Sequence, residues 1–222
     1  MAFVHFGLRM TEILNIILQL IIFLFYFSTP LNIFNKDIIF KNKSINFYDC
    51  LGFNIFIHLN FLLIYSFFNL DSQAYFLMVL IINFFINSFY IKKVFSFKFE
   101  IKDIYIFIIF LLITISIFFD ISANLRLEWD ALSHWIFKAR NFFDGEPIQN
   151  LKDLEFSEYP HLGTFVWGFF WKNSLLELEY FGRLFYVFFY VISLFSIHKF
   201  IFNKNIFKLF LSLLLILLIT YD

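Results

Sequence analysis

The length of its apolar runs constrains this chain more than any other feature. A helix needs roughly 20 consecutive apolar residues to cross ~30 Å of hydrocarbon. Six segments approach that length: 13–34, 50–70, 72–91, 104–121, 180–198 and 205–221. A hydrophobic fraction of 61%, a charged fraction of 15% and a mean hydropathy of +0.80 exclude an ordinary soluble domain, in which apolar residues make up about 45–50%. The expected fold is all-α, a polytopic membrane protein of about six transmembrane helices. The fourth and sixth segments are short and extend into their flanks or cross where the bilayer thins. The second and third form a hairpin around Asp71.

Sidedness follows from lysine and arginine, which favour cytoplasmic loops. Lys36, Lys41 and Lys43 lie in one connection, Lys92, Lys93, Lys98 and Lys102 in a second, and Lys199, Lys204 and Lys208 in a third. Only Asp37, Asp49, Glu100 and Asp103 oppose them there. With those loops inside, the chain ends and the loop at 120–179 face outward, as expected for a bacterial inner (plasma) membrane protein. This sidedness requires that 164–171 does not cross, and its two tryptophans suit a helix lying at the interface.

Other features are bland. The 40 phenylalanines suit a lipid-facing surface and carry no functional meaning of their own. Cys50, the single cysteine, excludes an intrachain disulfide and reads as a small buried hydrophobe. Zero net charge with no basic tail gives no sign of nucleic acid binding. The first apolar run is long and lacks a small-residue cleavage site, so it reads as a retained helix.

The chain thus divides into four N-terminal helices (1–119), an outer loop (120–179) and two further helices (180–222). Trp129, Trp135, Trp167 and Trp171, all the tryptophans of the chain, fall in that loop with the densest run of acid. Residues 128–143 read as an amphipathic helix. At 100° per residue Asp130, Ser133, His134, Lys138 and Asn141 share one face, and Ala131, Leu132, Trp135, Ala139, Phe142 and Phe143 the other. Gly145 caps it and Pro147 bars its continuation. A carboxylate, an imidazole and an ammonium in successive turns suit a phosphate-bearing ligand beside a proton acceptor. The plainer reading is a solvated face with weak pairs four residues apart. No metal site is expected, because no second His or Cys stands at ligand spacing from His134. Pro160 forces Tyr159 extended and presents it with His161. Arg183 lies four residues after Glu179, as an ion pair or as an anchor for a lipid phosphate.

Trp129-Asp130-Ala131, followed by Trp135, Lys138-Ala139 and then Tyr159-Pro160, resembles the first outer loop of GT-C membrane glycosyltransferases. These include protein O-mannosyltransferases and aminoarabinose transferases. The resemblance covers about 120–200. It implies an enzyme that moves a sugar from a polyprenyl-phosphate-linked donor to an acceptor on the outer membrane face. Asp130 would then activate the acceptor hydroxyl or, in some subfamilies, hold a divalent cation, with Glu128 assisting. Lys138, Arg140 and Arg183 would meet the lipid phosphate, and His134, Tyr159 and His161 would line the substrate site. In better-known members the loop follows the first span rather than the fourth, and the chains are longer. An N-terminal fragment is therefore expected here.

Two rival classes stand beside this reading. A transporter or lipid-handling subunit would place ionisable groups at mid-membrane or show repeats with broken helices. A non-catalytic assembly subunit would use the loop for contact alone.

Overall fold

The computed structural model describes residues 2–33, 47–68, 71–94, 101–123, 126–154 and 157–202. The segment expected to span at 205–221 lies outside them. Within the described residues the fold is helical: α1 (Ala2–Tyr26), α2 (Phe47–Tyr65), α3 (Ser72–Val94), α4 (Ile101–Ala123), α5 (Ile136–Phe143), α6 (Leu162–Lys172) and α7 (Glu179–Phe202). A π turn (Ala131–Trp135) leads into α5, and a 3₁₀ turn (Ile148–Asp153) follows it.

Among the described residues, four helices are long and apolar enough to cross a membrane: Phe47–Tyr65, Ser72–Phe89, Ile104–Ser122 and Glu179–Ile197. They correspond to the second to fifth segments read from the sequence. Phe53, Phe56, Phe61 and Ile64 on α2, and Leu77, Ile81, Phe84, Phe85 and Phe89 on α3, are exposed. Such a belt needs lipid or another apolar partner to cover it. Phenylalanine also fills the centre. Phe23 of α1 meets Phe118 of α4, Phe170 of α6, and Phe185 and Phe188 of α7 at centroid distances of 5.2 to 6.3 Å. The residue taken from the sequence as lipid-facing therefore also builds the core. Cys50 is buried, as expected.

Two elements depart from expectation. The first segment is not one helix over 13–34, because α1 stops at Tyr26 and residues 27–33 turn. Unwound backbone among apolar helices must find donors and acceptors in the protein, and here α2 and α3 supply them. Asn54 accepts from the Leu31 N–H (2.8 Å) and donates to Phe27 O (2.8 Å) and Leu31 O (2.7 Å). Asn83 donates to Phe25 O (3.0 Å) and Tyr26 O (2.6 Å). Asn87 donates to Ser28 Oγ (2.7 Å), and His58 Nε2 lies 3.0 Å from Thr29 O. A clasp of Asn54 and His58 on one helix and Asn83 and Asn87 on the next holds the turn beside the middle of both.

The second departure is α6. Its run from Thr164 to Phe170 is buried at every position, so it is a core element rather than a helix lying flat at an interface. A helix apolar all round has no face to give to water. Its 11 residues rise only about 16 Å, so it does not cross. Two glycines let it sit so deep. A Cβ on Gly168 would collide with the backbone carbonyl of Ala139 in α5, and a Cβ on Gly182 of α7 would collide with that of Trp167. Small residues at such crossings let helix backbones meet.

Candidate functional site

The loop from Arg126 to Leu178 binds itself to the helix bundle through its second half, while its first half stays open. The helix that begins at Trp129 does not run regularly into α5. Ile136 N–H donates to Ala131 O, five residues back, which makes one π turn. Such turns insert a residue and often mark functional sites. The insertion shifts the helix phase, so the two faces drawn for one continuous α-helix do not carry through it. Lys138, Ala139 and Phe142 turn inward toward α6, whereas Trp129, Leu132, Phe137 and Arg140 face outward.

Asp130 and Glu128 are exposed at the start of this helix. His134 follows Asp130 by one turn, its ring edge-on to Trp129 at 5.3 Å. Ser133 spends its hydroxyl on Trp129 O (2.7 Å).

Lys138 corrects the sequence reading, which placed it on a solvated face. Its side chain is 0% exposed. The ammonium lies 5.6 Å from the Trp135 ring centroid and 5.5 Å from that of Tyr159, and the two rings stack on each other at 5.6 Å. Tyr159 arrives from beyond the 3₁₀ turn, where Pro160 holds it extended. Burial pushes the Lys138 ammonium below its ordinary value, and the Glu158 carboxylate opposes that shift. Aromatic faces offset part of the desolvation cost of a cation.

His161 ties the loop to the α2–α3 connection. Ser66 donates its one hydroxyl proton to Leu63 O (2.7 Å), so in its 2.9 Å contact with His161 Nε2 the imidazole N–H is the donor. Phe67 meets the ring edge-on at 5.4 Å, and burial holds the imidazole below its ordinary value. His161 thus acts as a fastener of the loop, and its main-chain oxygen accepts from Phe165 N–H (2.8 Å) at the first turn of α6.

The remaining expected residues sit apart. Arg140 is exposed and meets Asp144 at 3.7 Å. Arg183 pairs with Glu179 at 2.9 Å, both partly buried, which is the ion pair allowed for in the sequence. Gly145 has φ +84° and closes the helix as expected. The tryptophans divide the work: Trp129 is 71% exposed and Trp167 is buried. Trp135 covers Lys138, and Trp171 stacks on Phe143 at 4.4 Å while its indole donates to Glu177 O (2.6 Å).

The structure therefore brings Trp135, Lys138, Glu158 and Tyr159 together and keeps Asp130 and His134 one to two turns away on the open side. It does not bring Arg140 or Arg183 to the same place. The sequence reading missed a cavity of about 270 Å³ between the α2–α3 connection and the loop, walled in part by Asp71, Glu146 and Lys172. Charged residues at the ends of otherwise apolar elements were the available signal. Among the described residues no group of three His, Cys, Asp or Glu side chains is placed to hold a metal ion. Comparison with protein families, curated proteins and solved structures gives no match.

Proposed function

We propose that the chain is part of a membrane glycosyltransferase that moves a sugar from a polyprenyl-phosphate-linked donor to an acceptor outside the membrane. One observation carries this reading: an exposed carboxylate, Asp130, opens a loop helix whose buried lysine follows eight residues, or about 12 Å, later. The acceptor hydroxyl attacks the anomeric carbon of the sugar, and the bond from that carbon to the phosphate oxygen breaks. The proton passes to Asp130, and polyprenyl phosphate departs with the electron pair. General-base assistance of this kind contributes about 10²–10⁴ in rate. A cation held in place where water is scarce stabilises the charge that develops on phosphate, and Lys138 supplies that field. Trp129, Leu132 and Phe137, exposed on the same helix, suit contact with the lipid carrier at headgroup level.

A second reading draws on the turn at 27–33. A broken helix beside the middle of its neighbours is a device of transporters, and a lipid-handling subunit would fit it. Here Asn54 engages the backbone of Phe27 and Leu31, and Asn83 the last carbonyls of α1, which favours a structural role.

The test is transfer itself. Membranes carrying the full-length gene product are supplied with radiolabelled polyprenyl-phosphate sugars, and label is followed into non-carrier material. Label that appears only with the protein supports the reading, and its absence across the sugar panel overturns it. Labelling of Ser157→Cys from outside intact cells, with Ser44→Cys protected, is the expected sidedness. The reverse pattern removes an outer-face reaction.

A further inference from the structure

We propose that the cavity between the α2–α3 connection and the loop is a binding site for one neutral pyranose ring. Its polar wall comes from three separate parts of the chain. Asp71 arrives from the connection, Glu146 from the turn after α5, and Lys172 from the last turn of α6. Each of the three retains hydrogen-bonding capacity. Asp71 uses Oδ1 to cap α3, accepting from Gln73 N–H (2.9 Å), and its Oδ2 takes no bond from a described residue. Glu146 accepts from Asn150 through Oε2 (2.7 Å), and its Oε1 is uncommitted among the described residues. No carboxylate of a described residue lies within ion-pair distance of Lys172. Its ammonium instead reaches over Gly145, where a Cβ would stand 3.3 Å from Nζ and where φ is +84°. The loop is shaped to bring that ammonium close.

The apolar wall is aromatic. Phe142 and Phe165, edge-on to each other at 5.0 Å, line the same space. Two carboxylates that accept from hydroxyls, one ammonium that donates, and aromatic rings that pack on C–H groups together match a sugar ring. They suit neither a lipid tail nor a polyanion. The volume lies near the low end for small-molecule sites, the size of one ring rather than of an oligosaccharide. This site is separate from Asp130 and does not require that transfer occurs.

The experiment is saturation-transfer NMR on the full-length protein in detergent, with a panel of methyl pyranosides. At least one pyranoside is expected to bind the wild type. Lys172→Met and Glu146→Gln, at unchanged thermal midpoint, are expected to bind it roughly tenfold more weakly. Asp130→Asn is expected to bind it unchanged, so a failure of the transfer reading leaves this result standing. Tighter binding when the same sugar is carried on a short isoprenyl phosphate marks a lipid-linked sugar as the ligand, and equal binding marks a free sugar. The proposal is overturned if no pyranoside binds, if both cavity variants bind as the wild type does, or if Asp130→Asn loses binding together with them.

Discussion

The clasp around residues 27–33 and the open start of the loop both concentrate polar side chains in an apolar chain, and they use them in opposite ways. In the clasp, Asn54 and Asn87 are committed to the turn and Asn83 to the last carbonyls of α1. In the loop, Asp130 and Glu128 stand exposed on a helix interrupted by a π turn. An amide sunk among apolar helices must be bonded or it destabilises the fold, so the clasp holds structure. An exposed carboxylate carries no such obligation and is available to a substrate. Lys138 lies between these cases, sunk like the asparagines yet carrying a charge.

The largest effect is expected at Lys138. In Lys138→Met the aromatic wall remains, and Glu158 is exposed. The expected result is an unchanged or raised thermal midpoint with sugar transfer reduced about a hundredfold, equivalent to about 2.7 kcal/mol. A variant that loses stability and keeps its rate would make Lys138 structural. Gly168→Leu comes next. It forces α6 away from Ala139 of α5 and is expected to cost about 1–3 kcal/mol of stability, read as a lower thermal midpoint.

Asn54→Leu removes three bonds from the clasp. It is expected to cost about 1–2 kcal/mol, with transfer per folded molecule unchanged. A change in rate at constant folded fraction would bring the clasp into the chemistry and favour the transporter reading. The smallest effect is acid sensitivity at His161. Its value in the folded chain lies below the ordinary one because burial disfavours the charged ring. The stability given by the neutral ring is therefore fully present above about pH 6.5 and falls as pH drops below that toward the lowered folded value. His161→Gln is expected to flatten the midpoint against pH below about 6.5, checked by thermal scans.

How far the sequence could be read follows from the same contrast. The spans of α2, α3, α4 and α7 were legible because length and hydropathy suffice to mark a crossing helix. The end of α1 was not, since Leu31 and Ile33 continue the apolar run past Thr29-Pro30. The usable signal lay in other helices, in Asn54 with His58 and Asn83 with Asn87, each pair four residues apart. The burial of α6 was hidden because an aromatic run reads alike at an interface and in a core, and only Gly168 and Gly182 together announce a close crossing. Asp130, His134 and Tyr159 were legible as residues of the loop, but not that Tyr159 stands beside Lys138 and Trp135. The position of Lys138 was not, because a helical wheel assumes a constant period and the π turn breaks it.

Asp130 remains the residue on which the account turns. The decisive measurement is transfer by full-length Asp130→Asn, with its thermal midpoint taken in parallel. Wild-type stability with turnover reduced by at least about a hundredfold is expected. Turnover near the wild-type rate in a folded Asp130→Asn protein would contradict this expectation.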